Sequence, residues 1–102
     1  YSHEDPTPEV QDFIAKYKAK HQQTPDGLAA LGYDAARIVC AAMTRAKSLS
    51  GADIAAELAT TQDFQGVTGK ISIDAERNAV KSAVMLEMRD GTPRYLSTIP
   101  PE

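Results

Sequence analysis

The segment from Asp26 to Ala46 reads as one long helix with very little polar surface. Leu28, Leu31, Ala35, Ile38, Ala42 and Met43 mark one apolar face. Ala29, Ala30, Tyr33, Ala36 and Cys40 make the other side nearly apolar too. A helix that is hydrophobic almost all round has to be covered on more than one side. Its alanines allow neighbouring elements to approach closely. A chain of 102 residues can hold one domain and one modest core, burying a little over ~60% of its unfolded surface. The helix therefore predicts more surrounding structure than this chain obviously provides.

The remaining elements follow from local chemistry. Thr7-Pro8-Glu9 is a helix start, with Thr7 as the expected acceptor for an orphan N–H and Pro8 at the first helical position. Val10, Phe13, Ile14 and Tyr17 recur at helical spacing, and Lys18, Lys20 and His21 crowd the end where cations are favoured. A helix from Pro8 to His21 results. Thr24-Pro25-Asp26 repeats the same start chemistry for the apolar helix. Ser50 and Asp53 have capping-box spacing ahead of a short third helix, Gly51 to Ala59.

Thr60 to Thr68 then reads as a loop with Phe64 and Val67 tucked inward. The period changes to two at Ile71 and Ile73, which predicts a half-buried strand. Ala75-Glu76-Arg77-Asn78 is a polar turn, in which Asn78 supplies a left-handed residue. Ser82 to Arg89 is a second strand, and Asp90-Gly91 predicts a tight hairpin. A two-residue loop there sets Glu87 opposite Arg94 and Leu86 opposite Tyr95. Pro93 makes the returning strand an edge or a short one. Pro100-Pro101-Glu102 is a tail. Helices first and strands last give α+β, or a piece of an α/β sheet whose other strands are missing.

Function classes fall away quickly. A net charge of −3 and a pI near 5.3 offer no nucleic-acid footprint, which needs clustered cations. Lys16, Lys18 and Lys20 read as a solvated helix face. Cys40 is the one cysteine, so no intrachain disulfide or CxxC pair can form. Its apolar neighbours predict a packed core position. No apolar run approaches the ~20 residues a membrane helix requires. The chain opens on Tyr1, with no secretory leader, and not on methionine, which predicts a processed, cut or engineered product.

His3 and His21 are expected in solvent, and His3 with Glu4 and Asp5 is too weak a cluster for a metal. There is no nucleophile elbow, no H-E-x-x-H and no P-loop. Gly66-Val67-Thr68-Gly69 opens a strand, so it is a turn rather than a phosphate cradle. No catalytic residue, metal or cofactor is expected. Tyr33-Asp34 is the one pair that could face a pocket. The plainer alternative packs Tyr33 in the core and pairs Asp34 with Arg37 one turn on, or leaves it in solvent.

Asp5-Pro6-Thr7-Pro8-Glu9-Val10-Gln11-Asp12-Phe13, Tyr17-Lys18-Ala19-Lys20, Pro25-Asp26, Ala29-Ala30-Leu31-Gly32-Tyr33-Asp34-Ala35-Ala36 and Phe64-Gln65-Gly66-Val67-Thr68-Gly69 with Ile71-Ser72-Ile73-Asp74 follow one another in an informative order. In that order and spacing they resemble the last third of a periplasmic branched-chain amino acid-binding protein. The resemblance implies an α/β chain that is part of a type I periplasmic binding fold, with three helices, a strand and a β-hairpin. Residues 1–69 would cover the sheet of the parent's first lobe, and 70–102 would cross the hinge and complete the second.

It also implies a periplasmic, non-enzymatic solute receptor of an ABC importer. Two lobes would close on an amino acid or related small carboxylate and then meet the importer's membrane subunits. Tyr1, Tyr33 and Asp34 are the ligand-facing candidates, with most of the site expected upstream. The isolated chain is expected to bind little, and to dimerise or exchange segments to cover its apolar helix. A ligand-sensing piece of a cytoplasmic regulator and an autonomous interaction module are the alternatives.

Overall fold

The computed structural model describes residues 1–102. Three helices lead, α1 Pro8–His21, α2 Gly27–Arg45 and α3 Gly51–Ala59. Five strands follow, β1 Phe64–Gly66, β2 Gly69–Ile73, β3 Ala79–Val80, β4 Ala83–Arg89 and β5 Thr92–Ile99. They form an antiparallel three-stranded sheet in the order β1-β2-β3 and a separate β4–β5 hairpin.

The helix boundaries match the sequence expectation closely, but two caps differ. Thr7 does not cap α1. Its hydroxyl donates instead to Asp5, whose carboxylate also accepts the Thr7 N–H at 2.9 Å. The α2 cap is Asp26, which accepts from the Ala29 N–H at 2.8 Å. Thr24-Pro25-Asp26 therefore does not copy Thr7-Pro8-Glu9. Ser50 caps α3 as expected, accepting from Asp53 N–H, while the Asp53 carboxylate takes the Ser48 hydroxyl at 2.6 Å.

The core is small. Val10, Phe13 and Ile14 of α1, Ala30 of α2 and Val67 from the β1–β2 turn form its main cluster. Along α2 the buried stripe is Ala30, Asp34, Ile38 and Ala42, one side chain per turn. Leu28, Leu31 and Met43, expected on an apolar face, are exposed, and so is Val39. Cys40 is exposed too, which corrects the expectation of a packed thiol. Around Leu31 and Val39 the physical reason is an open hollow that separates them from Ile71 and Ile73. α3 packs against α2, where Arg45 donates to the Glu57 carbonyl at 3.1 Å.

The presumed loop before Gly69 contains β1, which pairs Phe64 with Ile71 and Gly66 with Gly69. In the turn after β2 the left-handed residue is Arg77, at φ 69°, and not Asn78. Asp74 explains the swap: its carboxylate accepts the N–H groups of both Glu76 and Asn78, which fixes Asn78 as a donor at the turn's end.

The hairpin has the expected register, Leu86 opposite Tyr95 and Glu87 opposite Arg94. Asp90 at φ 50° and Gly91 at φ 74° give the two left-handed residues of a tight hairpin turn. A bulge at Met85/Leu86 shifts the register beyond it. The expected cross-strand attraction is not what the charges do. Glu87 pairs with Arg89 at 2.9 Å, and Arg94 reaches Glu4 at 2.6 Å. Every residue of β5 is exposed. The hairpin stands out from the body, and the radius of gyration of 15.3 Å exceeds the ~13 Å of a compact 100-residue domain.

Candidate functional site

Successive residues on a helix point about 100° apart, so Tyr33 and Asp34 serve different surroundings. Tyr33 turns toward α1, where its ring lies 4.7 Å from that of Phe13 between centroids. Arg37, one turn on, lies over the Tyr33 ring at 5.6 Å and over Phe64 at 5.2 Å. Phe13 is also flanked by Tyr17 and, edge-on, by Tyr1. The Tyr1 hydroxyl donates to the Pro25 carbonyl at 3.2 Å. Burial, with the Asp26 carboxylate as a lesser cause, holds the Tyr1 phenol above its ordinary pKa, so it stays a donor.

Asp34 turns the other way, toward the β1–β2 turn, and is only 2% exposed. One carboxylate oxygen accepts the Val67 N–H at 2.8 Å. The other accepts the Thr68 N–H at 2.8 Å and the Thr68 hydroxyl at 2.7 Å. The pairing with Arg37 or solvent considered for Asp34 is not what forms. The Arg37 guanidinium instead donates to the Gln65 carbonyl at 3.4 Å. Asp34 thus clasps the tight turn to the middle of α2, with its lone pairs engaged by the chain's own groups.

Gly66 belongs to this clasp. A Cβ there would lie 2.6 Å from the nearer Asp34 oxygen, closer than real contacts allow. Gly66→Ala is expected to cost about 1–3 kcal/mol by forcing the carboxylate off its donors. The loss should nearly vanish in an Asp34→Ala background, where the obstacle is gone. A double-mutant cycle by urea unfolding measures this; additive losses would mean that the contact is not the cause.

Lys81 extends the clasp. Its ammonium donates to the Thr68 hydroxyl oxygen at 3.0 Å. Two hollows meet along this line. One, of about 360 Å³, lies between Tyr1, Leu31, Lys81 and Val84. The other, of about 410 Å³, is more apolar and runs between Leu31, Ile38, Val39, Ile71 and Ile73. Neither Thr68 nor Lys81 stood out in the sequence. The glycines flanking Val67-Thr68 marked the turn, as expected, but not the role of the Thr68 side chain, and Lys81 carries no local signal. No three His, Cys, Asp or Glu side chains gather where they could hold a metal ion. No helix is long and apolar enough to cross a membrane.

The family described as periplasmic binding protein matches residues 1–92. No curated protein sequence matches significantly. Among solved structures, a leucine-binding protein, LivK, from Thermotoga maritima is 34% identical over 99% of this chain and 29% of its own, with a TM-score of 0.85. The branched-chain amino acid transporter substrate-binding protein LivJ from Streptococcus pneumoniae, in complex with isoleucine, is 35% identical over 99% of this chain and 28% of its own, at 0.83. An ABC transporter substrate-binding protein from Desulfitobacterium hafniense, in complex with Leu, is 27% identical over 94% of this chain and 29% of its own, at 0.87. The chain spans less than a third of the length of each.

Proposed function

The chain belongs to the periplasmic binding protein family, and we propose that it is the C-terminal portion of an ABC-transporter solute receptor for small carboxylates. The supporting observation is the coincidence of sequence and shape over nearly the whole chain with amino acid-binding relatives. A further neighbour, from Rhodopseudomonas palustris, 26% identical, holds 3,4-dihydroxy benzoic acid. Leucine, isoleucine and that aromatic acid share a carboxylate, and an aliphatic amino acid is the ligand favoured by the more similar relatives.

In this reading residues 1–69 belong to the first lobe, and 70–102 cross the hinge into the second. The parent works outside the cytoplasmic membrane, closes on its ligand and delivers it to membrane subunits, with no catalysis. Tyr33 and Tyr1 supply ring surface toward the ligand. Asp34 acts behind them by holding the turn. The exposed side of α2, with Leu31 and Val39, would pack on the remainder of the parent.

Calorimetric titration tests the proposal. The parent is expected to bind leucine or isoleucine with micromolar or tighter affinity, and this chain alone to show no heat of binding in the same range. Tight binding by the isolated chain, or no binding of any small carboxylate by the parent, would overturn it.

A further inference from the structure

We propose that Asp90-Gly91 is a site of spontaneous backbone modification, where the aspartate passes through a cyclic imide to β-linked isoaspartate, while the chain's other Asp-Gly pair is held against the same reaction. The two pairs are Asp26-Gly27 and Asp90-Gly91. Glycine after aspartate favours this chemistry because no side chain shields the attacking amide. Both pairs are exposed, and an added Cβ at either glycine would meet nothing within 4 Å. Exposure therefore does not tell them apart. What differs is how each aspartate is held.

Asp26 is the cap of α2. Its carboxylate accepts the Ala29 N–H at 2.8 Å, and its carbonyl accepts the Ala30 N–H at 3.1 Å. Pro25, just before it, is buried, and the Pro25 carbonyl takes the Tyr1 hydroxyl. Bending the Asp26 carboxylate onto the Gly27 nitrogen would break a charge-assisted bond and uncap the helix. Asp90 has none of these ties. No hydrogen bond or ion pair reaches its carboxylate, and the adjacent Arg89 is turned to Glu87 at 2.9 Å. The Gly91 N–H donates to no group. Neither residue belongs to a strand, since β4 ends at Arg89 and β5 begins at Thr92.

In the reaction the Gly91 nitrogen attacks the carboxyl carbon of Asp90 in its acid form. A C–N bond closes a five-membered imide, the C–OH bond breaks, and the hydroxyl leaves as water with the amide proton. Water then adds to one of the two ring carbonyls. Opening at the side-chain carbonyl returns aspartate. Opening at the main-chain carbonyl leaves isoaspartate, with the chain running through the former side chain. The main chain thereby gains one carbon inside a two-residue turn, whose length sets the register of Leu86 with Tyr95.

Keeping the folded chain at neutral pH for weeks tests this, with isoaspartate detected by an isoaspartate-specific carboxyl methyltransferase and located by peptide mapping. Isoaspartate at Asp90 should exceed that at Asp26 by about tenfold or more, the effect of one charge-assisted hydrogen bond. In urea, where the cap is gone, the two sites should react alike. Asp90→Asn, which loses ammonia in place of water, should give the same product sooner. Asp90→Glu, which would need a six-membered ring, should give none there. In the modified fraction amide exchange should accelerate at Arg89 and Thr92 and stay slow at Phe13 and Ile14; unchanged exchange would overturn the effect on the hairpin. Equal amounts at both pairs of the folded chain, or isoaspartate at Asp90 only in urea, would overturn the site itself.

Discussion

Asp34→Ala is expected to be among the most damaging single substitutions in this chain, at about 3 kcal/mol or more. The carboxylate is buried and accepts from the Val67 N–H, the Thr68 N–H and the Thr68 hydroxyl. Alanine strands all three donors. Each buried donor without a partner costs roughly 1–3 kcal/mol, and the hydroxyl can turn away while the amides cannot. Against a typical total of ~5–15 kcal/mol, that is a large share of the stability. Asp34→Asn should cost less, since one oxygen remains, yet still destabilise, because its NH2 group faces an amide donor. Thr68→Val removes only the hydroxyl and should cost least, about 1 kcal/mol. Urea unfolding gives the order, and hydrogen exchange at Val67 and Thr68 should accelerate first. Equal stabilities for Asp34→Ala and the unmodified chain would show that water replaces the carboxylate without loss.

This clasp also shows where sequence reading stops. Asp34 was visible as a carboxylate among alanines, but its partners lie more than thirty residues away. Spacing along one helix could only offer Arg37. β1 was missed for the same reason, since three residues become a strand only by pairing with β2. Local signals fared better. The stripe Val10, Phe13, Ile14, Tyr17 and the cations after it bounded α1 to the residue. Asp90-Gly91 set the hairpin register without any knowledge of the body. Yet the charges opposed in that register chose other partners, because both sit in solvent, where a cross-strand pair gains little. Apolarity was the weakest guide. Leu28 and Cys40 were read as packed and are bare, because apolar composition asks for cover without saying which chain segment provides it. The family resemblance came instead from the order and spacing of whole segments, Ala29 to Ala36 among them.

Phe13→Ala is the second large effect, expected at about 3–5 kcal/mol. Phe13 is 3% exposed and is the largest side chain in the main core cluster. Tyr1, Tyr17 and Tyr33 surround its ring at centroid distances of 6.3, 5.9 and 4.7 Å. Only eight apolar residues are buried in the whole chain, so little else can repack into the space. Phe13→Leu keeps most of the volume and should lose about half as much. Leu28→Ala, at a residue 78% exposed, should change stability by less than ~0.5 kcal/mol. The chain has no tryptophan and four tyrosines. Three of those tyrosines border Phe13, so near-ultraviolet circular dichroism reports this cluster directly. In Phe13→Ala that signal should fall sharply, and Phe13→Leu should retain most of it. A preserved tyrosine signal with preserved stability would mean that α1 is not held by this ring. Tyr33, the residue offered to the ligand, would then owe its orientation to Arg37 alone. Where the signal falls, the placement of Tyr33 depends on the core beneath it, and substitutions at Phe13 would lower ligand affinity in the parent without touching the ligand.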